Sequence, residues 1–226
     1  MSRASDVDVI TGFGLDEALR GVDAIVDAAT GPSSEEAPAT RFFTTAARNL
    51  QTFGHEAGAV RLVVVSIIGC DRFTGGYGAA KVAHERAALA GPLPARIVRA
   101  AQFHEFVEQL MQWGRQGDTV YVPRMRTQLV AARAVAEALA DVATGVVDEV
   151  AEVAGPREET LAECARLLAA RRGDGLRIEE VSDPNDPDHA LYLSGGLLPS
   201  AQARLTGPTF EEWLSAAVPL ATTAAA

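Results

Sequence analysis

The sequence has 226 residues, of which 48% are hydrophobic and 22% are charged, and its 30 acidic and 20 basic side chains give a formal net charge of −10. A chain of this length and composition is predicted to bury one sizeable core. Its acidity argues against a nucleic-acid partner, because an acidic surface repels phosphate backbones.

Membrane attachment and metal binding are not predicted either. The amino-terminal stretch MSRASDVDVITG lacks the hydrophobic centre of a secretory signal, and no apolar run approaches the length that crosses a bilayer. Cys70 and Cys164 lie far apart and lack the spacing of a zinc site, which is typical of a reducing compartment. These features favour a cytoplasmic protein.

The first elements in chain order carry two weak signals of ligand binding. Gly12-Phe13-Gly14 looks like part of a phosphate-binding turn, but the GxGxxG spacing fails at Glu17. An apolar strand is predicted at 24–31, and it ends in small residues that let a ligand approach the backbone. An ordinary strand-to-loop junction is the alternative for this segment. A helix is predicted at 40–57, where apolar residues recur at helical spacing.

The stretch 61–86 carries the strongest functional signal. A buried strand is predicted at 61–67, followed by a glycine-rich turn and the start of a helix. Ser66 lies at the end of the strand's apolar run, Tyr77 opens the helix, and Lys81 follows Tyr77 after four residues. Lys81 is the only lysine in the chain, against 19 arginines. On a helix this spacing puts Tyr77 and Lys81 on one face.

These three residues suit proton exchange with a carbonyl compound. An ammonium group near a phenol favours the phenolate and brings the hydroxyl closer to the range in which it exchanges protons. The hydroxyl of Ser66 could hydrogen-bond the same substrate oxygen. The alternative is structural, with Tyr77 and Lys81 as surface neighbours and Ser66 as a turn residue.

The pattern resembles that of the short-chain dehydrogenase/reductase superfamily, in which a serine at a strand end precedes Tyr-x-x-x-Lys on a helix. Within it, the sequence is most similar to the atypical, NmrA-like NAD(P)-binding branch, in the segments VVVSIIGCDR, GYGAAKVAHE and IVRAAQFHEFV. The resemblance implies an α/β fold with a doubly wound, mostly parallel Rossmann-like sheet. It also implies NADP as the cofactor, with NAD as the alternative, and a small-molecule substrate.

The amino terminus departs from this family. The resemblance sets Ser2 and Arg3 at the end of the second family strand, where such a pair can read the 2′-phosphate of NADPH. It implies a short strand at 7–10 and a small helix at 15–20. The first βαβ portion, about 30 residues, would then be missing, and we expect a longer natural protein that starts upstream of Met1. A strand edge left unpaired makes a homo-oligomer an alternative to a monomer.

The resemblance also assigns roles along the ligand edge of the sheet. Cofactor contacts are implied for Lys81 and for four residues at the carboxyl ends of predicted strands: Ala28, Ala29, Thr30 and Ala101. Phe103 and Phe106, after a strand predicted at 95–99, are expected to line the substrate pocket. Plain core packing is the alternative for these two phenylalanines.

The second half of the sequence is predicted to complete the same domain unit. Strands are expected at 119–123, 146–153 and 176–181, a strand-to-helix passage at 130–143, and helices at 158–171 and 210–217. We expect an NAD(P)-binding core over 1–155, incomplete at its amino terminus. A smaller substrate-side lobe is expected over 156–226.

The sequence leaves more than one function open. The first is an NAD(P)H-dependent oxidoreductase of a small carbonyl compound or enone, in which Lys81 holds the nicotinamide ribose, Tyr77 is the general acid and Ser66 orients the carbonyl. The second is a non-catalytic NAD(P)-binding sensor, and a chain that binds no cofactor is the third. The Tyr-x-x-x-Lys pair favours the enzyme, because a sensor has no chemical use for it.

Overall fold

The computed structural model describes residues 7–218. In chain order, its helices and strands are α1 (Leu15–Ala18), β1 (Ala24–Asp27), α2 (Glu36–Glu56), β2 (Arg61–Ile67), α3 (Gly76–Leu89), β3 (Ala95–Ala100), α4 (Phe106–Trp113), β4 (Arg115–Gln116), β5 (Thr119–Pro123), β6 (Arg126–Thr127), α5 (Ala132–Thr144), β7 (Glu152–Ala154), β8 (Glu159–Thr160), α6 (Leu161–Arg172), β9 (Arg177–Val181), α7 (His189–Ser194), β10 (Arg204–Leu205) and α8 (Phe210–Ala217). A short 3₁₀ turn, Cys70–Arg72, lies between β2 and α3.

The chain divides into two compact units that alternate along the sequence. One contains the residues up to Arg99 together with Glu137–Ala151, and the other contains Ala100–Ala136 together with the residues from Glu152 onward. The predicted division into an NAD(P)-binding core over 1–155 and a smaller substrate-side lobe over 156–226 stays a prediction.

The first unit is built on parallel strand pairing. β1 pairs with β2 in parallel, with Ala24 opposite Arg61 and Asp27 opposite Val64. A parallel pair needs a crossover, which α2 supplies, and β3 lies on the other side of β2. In the described part of the chain β1 stands at the edge of this sheet, with Val26 44% exposed. The α/β, mostly parallel Rossmann-like class is confirmed.

β2 has the bounds that the sequence predicted, and it is buried in the sheet. Leu62, Val63 and Val64 are fully buried, as expected of a strand covered on both faces. Helix α2 packs its apolar face near this strand, and Gly54 in α2 lies so close to Ile25 that a Cβ there would meet the Ile25 Cδ1 at 2.5 Å. Small residues therefore set the distance between helix and sheet.

The second unit has its own core and three small sets of strands. β7 pairs with β10 in parallel, β5 lies between antiparallel β4 and parallel β9, and β6 pairs with β8. Its core gathers around Phe210, Leu161 and Leu168. Thr160 and Thr209 cap the amino termini of α6 and α8 with capping boxes. In each, the threonine side-chain oxygen accepts the backbone N–H of the glutamate three residues on, and the carboxylate of that glutamate accepts the threonine N–H. The predicted bounds of α8 are those observed.

Several predicted elements need correction. The strand expected at 24–31 ends at Asp27, and the helix expected at 40–57 is α2, which begins four residues earlier at Glu36.

Four more predicted elements differ from the structure. Residues 7–10 are a turn and not a strand, because the Asp8 carboxylate accepts the N–H of Ile10 at 2.7 Å and folds the chain back. The predicted helix at 15–20 is only α1. The strand expected at 146–153 is reduced to β7, and Val146 is 73% exposed. The helix expected from 158 begins at Leu161, since Thr160 caps it.

Candidate active site

Tyr77 lies in the first turn of α3. Gly76, with φ of 64°, occupies the left-handed region and turns the chain into the helix, and its N–H donates to the Glu36 carboxylate at 2.9 Å. The Tyr77 ring is half-buried and meets the Phe43 ring edge-on, with centroids 5.6 Å apart. Burial raises the pKa of Tyr77, partly opposed by a hydrogen bond from the backbone of Gly31. The phenol is therefore protonated at neutral pH.

Lys81 lies one turn further along α3 and points into the fold. Its side chain is buried, at 3% exposure, and its Nζ donates to the backbone oxygen of Val65 in β2 at 2.8 Å. The same nitrogen lies 2.9 Å from His84 Nδ1 and 4.5 Å from the centroid of the Phe43 ring. Burial lowers the pKa of Lys81 from 10.5 to about 8, although the charge of Asp27 works in the opposite direction.

His84 connects Lys81 to Asp27. The imidazole is fully buried and stacks on the Phe43 ring, with centroids 4.8 Å apart. Its Nε2 lies 2.9 Å from Asp27 Oδ2, while Asp27 Oδ1 accepts the N–H of Ala29. Burial alone would raise the pKa of Asp27, but the hydrogen bond and charge of His84, with the N–H of Ala29, leave it lowered. Three ionisable side chains thus form one buried chain.

Ser66 belongs to a different polar cluster. Its Oγ lies 3.7 Å from Cys70 Sγ, and the thiol of Cys70 donates to Glu85 Oε1 at 3.3 Å. Glu85 in turn receives two hydrogen bonds from the Arg99 guanidinium, each 2.9 Å long. Burial and the nearby Glu85 carboxylate raise the pKa of Cys70, which keeps this thiol neutral. Ser66 is itself buried here, at 3% exposure.

The structure therefore brings together two of the three predicted catalytic residues. Tyr77 and Lys81 both contact the Phe43 ring. Ser66 lies in the neighbouring cluster, and among the described residues no hydrogen bond joins Tyr77 to Ser66 or to Lys81. The catalytic roles of Ser66, Tyr77 and Lys81 stay predictions.

The residues after β1 are small and at least partly exposed, as expected where a ligand approaches the backbone. Ala28 and Thr30 are exposed and Ala29 is half-buried. At Gly31 a Cβ would already meet the Phe43 ring at 3.4 Å, so the loop passes close over this aromatic ring. The backbone hydrogen bond from Gly31 to Tyr77 links the same loop to α3.

The described residues fit one end of a dinucleotide and not the other. Exposed small residues beside the Tyr77 hydroxyl can accept a ribose and a flat ring. A pyrophosphate would need N–H groups at a helix amino terminus, yet the candidate turn at Gly12 and Gly14 leads into α1, whose first turn carries Asp16 and Glu17. These carboxylates would repel a phosphate.

The remaining predicted site residues fall outside the described residues or belong to the second unit. Ser2 and Arg3 fall outside the described residues. Ala101 is buried in the second unit, Phe103 is half-buried and forms a backbone bridge with Val130, and Phe106 packs edge-on against Trp113. Their roles toward cofactor and substrate stay predictions.

Sequence reasoning missed Asp27, His84 and Phe43 as site residues. One signal was available, because His84 follows Lys81 by three residues and must share its helix face. Asp27 and Phe43 reach the site through tertiary packing, which no local pattern reports. Across residues 7–218, no group of three or more His, Cys, Asp or Glu side chains is placed to hold a metal ion. No helix in the same range is long and apolar enough to cross a membrane.

Comparison with known proteins identifies the fold. No family model and no curated protein sequence matches the chain. Among solved structures, an NADPH-dependent quinone oxidoreductase of Escherichia coli in complex with NADPH matches with a TM-score of 0.69 at 15% identity, over 92% of this chain and 81% of that one. A nucleoside-diphosphate-sugar epimerase of Staphylococcus aureus gives 0.67 at 15% identity, with coverage of 92% and 81%.

A third neighbour supports the same assignment. The triphenylmethane reductase of Citrobacter sp., complexed with NADP(H), matches with a TM-score of 0.64 at 15% identity, over 90% of this chain and 80% of that one. At such identities the likeness concerns the fold. The chain therefore has the Rossmann-like fold of NAD(P)-binding reductases and epimerases, as the resemblance in its sequence predicted.

Proposed function

We propose that this chain is an NAD(P)H-dependent oxidoreductase that reduces a small carbonyl compound or an enone. The observation that carries the proposal is the grouping of Tyr77 and Lys81 around Phe43, next to the exposed loop that follows β1. In open α/β sheets, ligands bind outside the carboxyl ends of the strands, which is where this loop lies. A proton donor and a buried positive charge thus adjoin the edge that suits a dinucleotide.

Tyr77 is the proposed general acid. Reduction of a carbonyl needs a proton at the oxygen, and a protonated phenol whose pKa is raised by burial is available to donate it. The phenolate that remains would accept the hydrogen bond from Gly31 and lie in the field of the Lys81 ammonium. Ser66 would orient the carbonyl if its hydroxyl turned away from Cys70.

The proposed cofactor is NADPH, with NADH as the alternative. Two of the neighbouring structures contain NADPH or NADP(H), and an enzyme of Bordetella bronchiseptica, similar to this chain at 14% identity, contains NAD⁺. A bound nicotinamide supplies the hydride. Cofactor contacts are proposed for Lys81 and for residues at strand ends, namely Ala28, Ala29, Thr30 and Ala101, with Ser2 and Arg3 at the 2′-phosphate. Phe103 and Phe106 are the proposed substrate contacts.

A non-catalytic dinucleotide sensor is the second candidate. The observation that favours it is the inward position of Lys81, whose hydrogen-bond partners Val65 and His84 both belong to the protein. A lysine that holds a ribose would need to offer a donor to the ligand. The two candidates share the fold and differ in whether the chain turns over a carbonyl substrate.

Substitution of Tyr77 by phenylalanine separates the two functions. We expect the wild-type chain to oxidise NADPH in the presence of at least one member of a panel of quinones, enones and aldehydes. Tyr77→Phe should lower kcat by about 100-fold or more while its Kd for NADPH stays close to that of the wild type. Tyr121→Phe, which removes a phenol hydroxyl in the second unit, is the matched control.

The result decides between the candidates. Loss of turnover in Tyr77→Phe alone supports the oxidoreductase. NADPH binding without turnover of any panel member supports the sensor and overturns the proposed reaction. Equal turnover in wild type and Tyr77→Phe overturns the role of Tyr77 as general acid.

A further inference from the structure

Two opposite charges lie buried in the first unit without touching each other. Lys81 and Asp27 are each 3% exposed. A buried ion is expensive unless it is paired or hydrogen-bonded. The fully buried His84 fills the gap between them, with its two ring nitrogens 2.9 Å from Lys81 Nζ and 2.9 Å from Asp27 Oδ2. Asp27 therefore acts on Lys81 through an imidazole.

The chemistry of the donors fixes the tautomer of His84. A lysine ammonium has three donors and no acceptor, so Nδ1 of His84 must accept from Lys81. The ring proton then sits on Nε2, which donates to the carboxylate of Asp27. In this arrangement both carboxylate oxygens of Asp27, both ring nitrogens of His84 and the Lys81 nitrogen have hydrogen-bond partners, with the Val65 backbone oxygen accepting a second hydrogen bond from Lys81.

Other charged or titratable groups near Lys81 leave Asp27 as its principal counter-charge. Cys70 on the 3₁₀ turn and Glu85 on α3 also act electrostatically on Lys81, but less than Asp27 does. The Cys70 thiol is neutral, and the Glu85 carboxylate is already held by the Arg99 guanidinium. From α2, the uncharged ring of Phe43 faces the Lys81 nitrogen, 4.5 Å from the ring centroid. Removal of the Asp27 charge should therefore leave Lys81 largely uncompensated.

The use of lysine at this one position supports a specific role. The chain uses arginine at all 19 of its other strongly basic positions. A guanidinium is larger and planar and does not lose its proton in proteins, whereas an ammonium is compact and shifts its pKa readily when buried. The pocket formed by Val65, His84 and Phe43 suits a compact, tetrahedral donor.

We propose that Asp27 and His84 are positioning residues that hold the Lys81 ammonium at the end of β2 and keep it charged there. The use of this charge by an anionic cofactor and by the Tyr77 phenolate rests on the proposed function. The charge itself is a property of the protein alone and is measured without any ligand.

The single lysine makes the measurement direct. Protein labelled with ¹³C at lysine Cε gives one lysine signal, which reports the protonation of Lys81 as pH is raised. The wild type should titrate with a midpoint near pH 8, in line with the lowered pKa of the buried amine. In ¹⁵N-labelled protein, the His84 ring should carry its proton on Nε2. A proton on Nδ1 of His84 would overturn the proposal without any variant, because Nδ1 could then not accept a hydrogen bond from the Lys81 ammonium.

Asp27→Asn isolates the charge from the hydrogen bond. Asparagine has nearly the same shape, and its side-chain oxygen can still accept from His84 Nε2, while its NH2 group replaces the oxygen that accepts the N–H of Ala29. A purely structural role would leave the lysine midpoint unchanged. We expect the midpoint to fall by about one pH unit or more, because Asp27 is the opposite charge that acts most strongly on Lys81 and only the His84 ring separates the two. Asp23→Asn, an exposed carboxylate just before β1, removes the same charge from the surface and should leave the midpoint in place.

A binding experiment separates this proposal from the proposed function. The affinity for NADPH should weaken as pH rises through the lysine midpoint, and in Asp27→Asn this weakening should begin at a correspondingly lower pH. Absence of NADPH binding at every pH would overturn the proposed function together with the use of the charge, while the lysine titration would still decide the positioning by Asp27 and His84. An unchanged lysine midpoint in folded Asp27→Asn would overturn the positioning, whatever the chain binds.

Discussion

The Nζ atom of Lys81 lies 2.8 Å from the backbone oxygen of Val65, so the one lysine of this chain is anchored to the central strand of its unit. This contact turns the side chain toward the sheet. A helix that carries Tyr-x-x-x-Lys can present its lysine to a ligand or to the core, and here the amine is held by protein groups. The predictions below follow from that arrangement and from the packing around it.

Replacement of Lys81 by arginine should destabilise the protein. The buried pocket leaves no room for the larger guanidinium, and overpacking a site of this kind costs about 2 kcal/mol in the free energy of unfolding. Arg86→Lys, the reverse exchange at an exposed position of α3, should change it by less than about 0.5 kcal/mol. Urea denaturation followed by circular dichroism measures both. Equal stability of Lys81→Arg and wild type would contradict the close packing.

The contribution of Asp27 to stability should depend on pH. Its pKa is lowered from 3.8 in the folded state, because the hydrogen bond and charge of His84, with the N–H of Ala29, outweigh the effect of burial. The stability that its charge provides is therefore present above the ordinary value and is lost as pH falls through the folded pKa. The difference in unfolding free energy between wild type and Asp27→Asn should be largest near neutral pH and shrink in acid. A difference that stays constant with pH would contradict the assignment.

Arg99 should not tolerate replacement by lysine. Its guanidinium makes two hydrogen bonds to the half-enclosed Glu85 carboxylate and a third contact to Asp71. Lysine keeps the charge but loses the planar fork, so we expect a loss of about 1 to 2 kcal/mol in the free energy of unfolding. Arg96→Lys on the same strand, where the guanidinium donates to the backbone oxygens of Asp148 and Ala95, is the control. Chemical denaturation measures the free energy of unfolding of both variants. Comparable losses in the two would contradict a special role for the planar guanidinium of Arg99.

Gln51 should be required for the junction between α2 and the segment that precedes β3. Its amide nitrogen donates to the backbone oxygens of Ala88 and Leu93, and its oxygen accepts the N–H of Leu93. Gln51→Leu leaves these buried backbone groups without partners, which should cost about 2 kcal/mol or more. Thermal unfolding measures the loss. Thr52→Leu, at the exposed neighbouring position, should have little effect, and a similar loss there would point to a general intolerance of leucine in this turn of α2.

The sequence was most informative where one physical signal dominated. The uninterrupted apolar run from Leu62 predicted β2 with its observed bounds, and the spacing of Phe210, Trp213 and Leu214 did the same for α8. At residues 7–10 the strand implied by the family resemblance is wrong, because the Asp8 carboxylate accepts backbone N–H groups and forms a turn. Short elements of this kind depend on single hydrogen bonds that a hydropathy pattern does not contain.

The site was predictable only in part, for a related reason. Helical spacing placed Tyr77 and Lys81 on one face, and both do meet Phe43. Spacing does not say whether that face turns to solvent or to the core, and it does not reveal that Asp27, 57 residues before His84, completes the buried chain. Such partners are set by the pairing of β1 with β2 and by the packing of α3.

The measurement that tests the central claim most directly is a calorimetric titration of the 226-residue chain with NADPH and with NADH near neutral pH. The proposed function predicts a Kd for NADPH in the micromolar range, tighter than that for NADH, and almost the same value for Tyr77→Phe. The absence of binding by either dinucleotide to the folded chain would contradict the proposal that this protein is an NAD(P)H-dependent oxidoreductase.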